Sequence, residues 1–172
     1  MAKAILVGDA NDQTTWEPDM SMADMSLARV RYDDTQQLMA AMVVADLEKA
    51  AVPLAKLLNS TAEMVLDLPY SRFLGYFQQF REMDKAAAEN PNDIGVEIDL
   101  SNVSARKMND VFSAMRANKI DHLCEYLATL VTRLPSKYGE KDDPATYRQM
   151  FYDDFMSVTH ALRNSIKKSA SS

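Results

Sequence analysis

The side chains able to do chemistry in this sequence are few: His122, His160, Cys124 and three adjacent acidic pairs, Asp33-Asp34, Asp142-Asp143 and Asp153-Asp154. His122 and Cys124 both carry metal-ligating atoms, but two residues apart on a helix they point to different sides and cannot share an ion through that helix. His160 with Asp153 or Asp154 would make a ligand pair only if another lobe completed it. The acidic pairs suggest acid and base work, yet the first two directly precede amphipathic runs, where carboxylates cap helices, and the third reads as an exposed helix face. The sequence holds no glycine-rich phosphate loop, no His-Glu-x-x-His, no paired cysteines and no nucleophile elbow. The expectation is therefore a protein with no catalytic residue, no metal site and no cofactor, and not an enzyme.

Composition narrows the partners. Twenty-five acidic against nineteen basic residues give a net charge of −6, which repels phosphate backbones and argues against nucleic acid. No apolar run approaches the ~18 residues of a membrane span, and Ala4 to Val7 is too short for a signal-peptide core, so a soluble, intracellular protein is expected. Cys124 lies on an apolar stripe, where it reads as a small hydrophobe. Four glycines and six prolines leave few special turns, while twelve methionines suit irregular cores or surfaces that accept varied apolar partners.

The elements that would position these groups are mostly helices. Between Lys119 and Leu134, the residues Ile120, Leu123, Cys124, Leu127, Leu130, Val131 and Leu134 recur at steps of three and four, one face of an amphipathic helix. Leu47, Ala50, Ala51, Leu54, Leu57 and Leu58 repeat the pattern 73 residues earlier. That earlier helix starts after a cap at Asp33, Asp34 or Thr35, carries Leu38, Met39, Met42 and Val43 towards Leu58, and meets Pro53, which predicts a kink near Ala50 to Val52 or a break. Leu27 to Tyr32 and Val96 to Leu100 alternate like short strands. Thr61 or Ser60 can cap a short segment, Ala62 to Leu66, and Pro69 opens an aromatic helix to about Ala88 through Phe73, Phe77 and Phe80. Ser101 or Ser104 caps a helix bearing Met108, Val111, Phe112 and Met115, and Asn118 closes it. Asp143 and Pro144 open a last helix, whose apolar face runs unbroken from Tyr147 through Phe151, Phe155, Val158 and Leu162 to Ile166.

These signals predict a mainly α fold of two similar helical lobes, each preceded by a short β-strand, arranged as an internal duplication. The domains are an N-terminal arm (1–26), a first lobe (27–88), a linker (89–95), a second lobe (96–168) and a disordered tail (169–172). Glu89-Asn90-Pro91-Asn92-Asp93 is the clearest punctuation between them. The offset drifts from 68 residues at the strands to 73 at the central helices and 74 at the last. In the arm, Ala4 to Val7 is a candidate strand and Gly8 to Asp12 a turn. Trp16, Met20, Met22 and Met25 belong to no internal stripe, which makes them the candidate partner-binding residues.

Glu97-Ile98-Asp99-Leu100 ahead of a helix, the leucine-rich helix, and Asp143-Pro144-Ala145-Thr146-Tyr147 ahead of an aromatic helix around Phe155 together carry a resemblance. So do Arg31-Tyr32-Asp33 and Leu68-Pro69-Tyr70 in the first lobe. Over about residues 27 to 165, the chain resembles the small tail assembly chaperones of tailed bacteriophages. The resemblance implies a helical, non-enzymatic protein of the host cytoplasm that binds the tape-measure protein, an apolar helical client, and keeps it soluble until tube subunits polymerise. The duplicated form and the N-terminal arm depart from that pattern and suit instead a structural virion component, a baseplate or tail-tip protein. A host-protein inhibitor is a third reading, disfavoured by the mixed-sign surface. Association with further copies of the chain stays open.

Overall fold

Where the helices stop decides this architecture, because three of them end in the same backbone turn. In the computed structural model, which describes residues 3–7 and 15–19 as backbone and residues 25–171 in full, the chain divides into two compact units, Met1–Ala86 and Ala87–Ser172. Among the described residues it is mainly α, with eight α-helices and two two-stranded antiparallel pairings.

In the first unit, β1 (Lys3–Val7) pairs with β2 (Thr15–Asp19), with Leu6 opposite Trp16. The expected strand at Ala4 to Val7 is present, and the expected turn at Gly8 to Asp12 lies outside the described residues. Helices α1 (Tyr32–Val43) and α2 (Leu47–Leu58) follow as a hairpin. Asp46 N donates to Ala41 O at 2.8 Å and Ala45 N to Met42 O at 3.2 Å, with Ala45 at φ 56°. This six-to-one and five-to-two pair is the Schellman turn, which satisfies carbonyls that a helix end would otherwise leave open. At the other end of the hairpin, Lys56 Nζ meets Asp34 Oδ1 at 2.8 Å. Helix α2 closes with the same turn at Asn59, φ 54°. The short α3 (Ala62–Leu66) is capped by Thr61, whose hydroxyl accepts from Met64 N, and α4 (Tyr70–Glu89) follows Pro69. Leu38, Leu54, Leu57, Val65, Phe73 and Phe80 are buried, each worth roughly 1.5–3 kcal/mol relative to exposure.

Two expectations for this unit are corrected. Leu27 to Tyr32 is not a strand: Leu27–Arg29 forms one 3-10 turn capped by Ser26. The segment is tied to the end of α2, where Leu57 O accepts from Ser26 N at 3.0 Å and from Arg29 Nη1 at 2.9 Å. A helix C-terminus, not a neighbouring strand, supplies these bonds. Nor does Pro53 break its helix. It sits buried inside α2, and the interruption lies earlier, at the Ala45 turn.

In the second unit, β3 (Glu97–Ile98) pairs with β4 (Val131–Arg133) across an irregular register. Helix α5 (Ala105–Arg116) is capped by Ser104, whose Oγ accepts from Lys107 N at 3.1 Å. A Schellman turn at Asn118, φ 53°, leads into α6 (Ile120–Leu130), with Lys119 N bonded to Ala114 O at 2.9 Å. Lys107 Nζ donates to Thr129 Oγ1 at 2.6 Å, joining the start of α5 to the end of α6. Asp143 caps the short α7 (Pro144–Arg148), and α8 (Tyr152–Ser171) follows. Leu127, Leu130, Tyr147, Phe155, Val158 and Leu162 are buried here.

This unit corrects two more expectations. The helix expected from Lys119 to Leu134 stops at Leu130, and Val131 turns extended to pair with Ile98. The last helix is not continuous either, because Gln149 to Phe151 separate α7 from α8. Helix α8 runs to Ser171, whose Oγ donates to Lys167 O at 3.1 Å.

Candidate functional site

The groups that sequence chemistry singles out are used locally. His122 is exposed while Cys124 is 2% exposed, so the two indeed face opposite sides of α6. Asp34 accepts from Arg31 N at 2.9 Å and Asp143 from Ala145 N at 2.9 Å, both as helix-start carboxylates, while Asp142 pairs with Lys141 at 2.9 Å. Asp154 sits beneath Tyr138, whose hydroxyl is 3.4 Å from Oδ1. Partial burial and the neighbouring Asp153 carboxylate raise its pKa above the usual range. Asp99, which accepts from Ser101 N at 2.9 Å, is held below it by that backbone bond. Among the described residues, no three His, Cys, Asp or Glu side chains gather where they could hold a metal ion.

His160 lines a groove of about 430 Å³ between residues 91–98 and α8, beside Asp93, Glu97 and Lys168. Ser165 Oγ closes one wall by donating to Ile98 O at 3.2 Å. The groove is open and mixed in charge, and neither Asp153 nor Asp154 lines it, so the sequence pairing of His160 with those carboxylates is not assembled there.

The candidate partner-binding residues are scattered. Trp16 lies in β2, described as backbone, while Met20 and Met22 lie outside the described residues. Met25 is 5% exposed and belongs to the interior, not to an open face.

The apolar side chains that the first unit does present are ones its periodicity conceals. Val43 and Val44, at the α1–α2 turn, are 83% and 72% exposed, and Tyr70 at the start of α4 is 61% exposed. Val52 on the outer row of α2 and Leu66 at the end of α3 are exposed as well. One sequence signal was available: Met42-Val43-Val44 puts three apolar residues in succession, and a helix stripe cannot bury all three.

The charges around these residues are uneven. The basic side chains of α2 each stand near a carboxylate, Lys49 at 3.9 Å from Asp46 in an exposed, loose pair and Lys56 at 2.8 Å from Asp34. The exposed carboxylates Glu48, Glu63 and Asp67 have no ion-pair partner among the described residues. Residues 1–86 hold eight basic against thirteen acidic side chains, and residues 87–172 hold eleven against twelve. Among the described residues, the first unit thus presents exposed apolar side chains together with carboxylates that have no ion-pair partner. Among the described residues, no helix is long and apolar enough to cross a membrane. Comparison with known proteins gives no matching family model, no matching curated protein and no matching solved structure.

Proposed function

We propose that this protein is a helical assembly chaperone of the phage-tail kind, which binds an apolar helical client of tape-measure type and keeps it soluble until assembly consumes it. The observation that carries this reading is the pair of consecutive valines, Val43 and Val44, left almost fully open at a structured helix turn. Single exposed apolar residues are ordinary, but two in succession, with Val52, Leu66 and Tyr70 also exposed on the same unit, leave much apolar area unburied. Half-exposed Met108, Phe112 and Met115 on α5 add adaptable apolar surface. A long apolar helix would be bound by laying its stripe against such side chains.

We also infer that the chain is an internal duplication. Support comes from element lengths and bonds within each unit. Helices α1 and α5 both have 12 residues and start 73 residues apart, as do α2 and α6. Helices α3 and α7 both have five residues, α4 and α8 both have twenty, and these pairs start 82 residues apart. Ala45 and Asn118, the left-handed residues of the two hairpin turns, keep the offset of 73, and so do the hairpin ties Asp34–Lys56 and Lys107–Thr129. In the last helices, Phe73 corresponds to Phe155 and Phe80 to Leu162, all buried. The extra nine residues of the second repeat accommodate β4 and the loop after it.

Co-expression with a tape-measure-type protein, a long apolar helical chain, is the test. The chaperone reading expects that client in the soluble fraction only when this chain is present, and this chain absent from purified mature particles by mass spectrometry. A client that pellets regardless overturns it, and stoichiometric presence in particles reassigns the chain to a structural virion role.

A further inference from the structure

We propose that the α1–α2 turn of the first unit is the client-contacting surface, and that it selects apolar helical segments flanked by lysine or arginine. The inference rests on the chaperone reading and adds the place and the charge of the contact. Val43, Val44 and Val52 are exposed, and Glu48 stands four residues from each of the last two. Glu48 and Val52, four residues apart within α2, therefore share a row of that helix, and Val43 and Val44 stand at the turn that leads into it.

The repeat supplies an internal control. At the offset of 73, Val43, Val44 and Val52 correspond to Arg116, Ala117 and Glu125. Both hairpins close with the same Schellman bonds, Asp46 N to Ala41 O at 2.8 Å and Lys119 N to Ala114 O at 2.9 Å. The turn folds with a charged and a small residue at its tip, so its geometry does not require the valines. The same comparison explains the free carboxylate. The counterpart of Glu48 is Asp121, which is held by Arg148 Nε at 3.1 Å. At the offset of 82, the counterpart of Arg148 is the exposed Leu66. The first unit thus has an apolar side chain where the second has the arginine, and Glu48 is left uncompensated beside the valines. Glu63 and Asp67 flank Leu66 and Tyr70 in the same manner. Uncompensated carboxylates around exposed apolar side chains complement a partner whose apolar stripe is edged with cations, and repel one edged with acids.

The test uses two labelled helical peptides of about 20 residues, long enough to hold a helix, with one leucine and alanine face flanked by lysines in the first and by glutamates in the second. Fluorescence anisotropy is read against the full chain and two variants. The variant Val43→Arg/Val44→Ala reproduces the residues of the second unit's own turn, and Glu48→Lys reverses the charge; circular dichroism checks that each is folded. The lysine-flanked peptide is expected to bind the natural chain, to weaken about tenfold with either variant, and to weaken as salt rises from about 0.05 to about 0.5 M. The glutamate-flanked peptide should bind at least about tenfold more weakly. Equal binding of both peptides, binding of neither, or insensitivity to both variants overturns the proposal. Self-association of the natural chain that Val43→Arg/Val44→Ala abolishes also overturns it, making the surface a contact between copies. If the variants hold the co-expressed client in solution as well as the natural chain does, this surface falls and the chaperone reading stands. If peptide selectivity holds while the client pellets regardless, the reverse is true.

Discussion

Ala45 holds a left-handed backbone, φ 56°, where its β-carbon crowds the neighbouring carbonyl. Replacing it with glycine removes that crowding at some cost in unfolded-chain entropy, so Ala45→Gly is expected to raise stability by up to about 1 kcal/mol in urea denaturation. Tyr147 carries a different signature. Its buried ring places the hydroxyl 2.6 Å from Lys141 O, and burial first, then the Asp142 carboxylate and Cys124, push its pKa from 10.0 to about 12. A tyrosine that keeps its proton longer in the folded chain than in the unfolded one leaves stability intact below pH 10. That stability is lost as pH climbs from 10 towards 12, because the unfolded chain alone gives up the proton. Tyr147→Phe should flatten this alkaline loss while costing about 1 kcal/mol at neutral pH for the missing hydrogen bond, both visible in denaturation at stepped pH.

Capping chemistry was the most legible part of the elements. Ser104, Thr61 and Asp143 stand where side-chain oxygens before apolar runs say they should, and Asn118 closes its helix. Ser104→Ala is expected to cost about 1 kcal/mol of thermal or urea stability, since Lys107 N loses its acceptor. The illegible part was where periodicity continues across a change of backbone. Leu130, Val131 and Leu134 suit a helix stripe, yet Val131 pairs with Ile98, because β3 brings a partner that no local pattern announces. Tyr147, Phe151 and Phe155 keep helical spacing through Gln149 to Phe151, although the chain is not helical there and Phe151 is exposed. Neither glycine nor proline marks that break. Pro53 does not mark a break either, since it lies buried inside the unbroken α2 while the chain turns at Ala45. As for the candidate surface, the methionines and Trp16 drew attention by size, whereas Val43 and Val44 sit inside an apparently helical run and are exposed by a turn seen only in three dimensions. Gly139 is legible as a turn former, and its φ of 117° needs it. A β-carbon there would meet Thr146 Oγ1 at 3.0 Å, so Gly139→Ala should destabilise by about 1–2 kcal/mol in the same assay.

At the scale of the molecule, acidity is concentrated in residues 1–86 while residues 87–172 are close to neutral, and among the described residues the exposed large apolar side chains lie mostly in the first unit, with Phe151 the one in the second. Duplication followed by divergence would give one copy freedom to acquire a ligand surface while the other retains the neutral form of the same hairpin. Residues 87–172 also carry the chain's one cysteine, Cys124, buried on α6. A disulfide-exchanging colour reagent reacts with a thiolate it can reach, so labelling must wait for α6 to come away from its neighbours. The ratio of the labelling rate in buffer to that in denaturant then measures how often residues 87–172 breathe open, with no probe introduced and no signal from the other half. Labelling in buffer is expected to be slower by a factor of about 1,000 or more. Unhindered labelling would mean that α6 is not held shut in solution. Adding a client that grips residues 1–86 should leave the rate unchanged if the halves open independently, and slow it if they open together, turning one sulfur atom into a clock for their cooperativity.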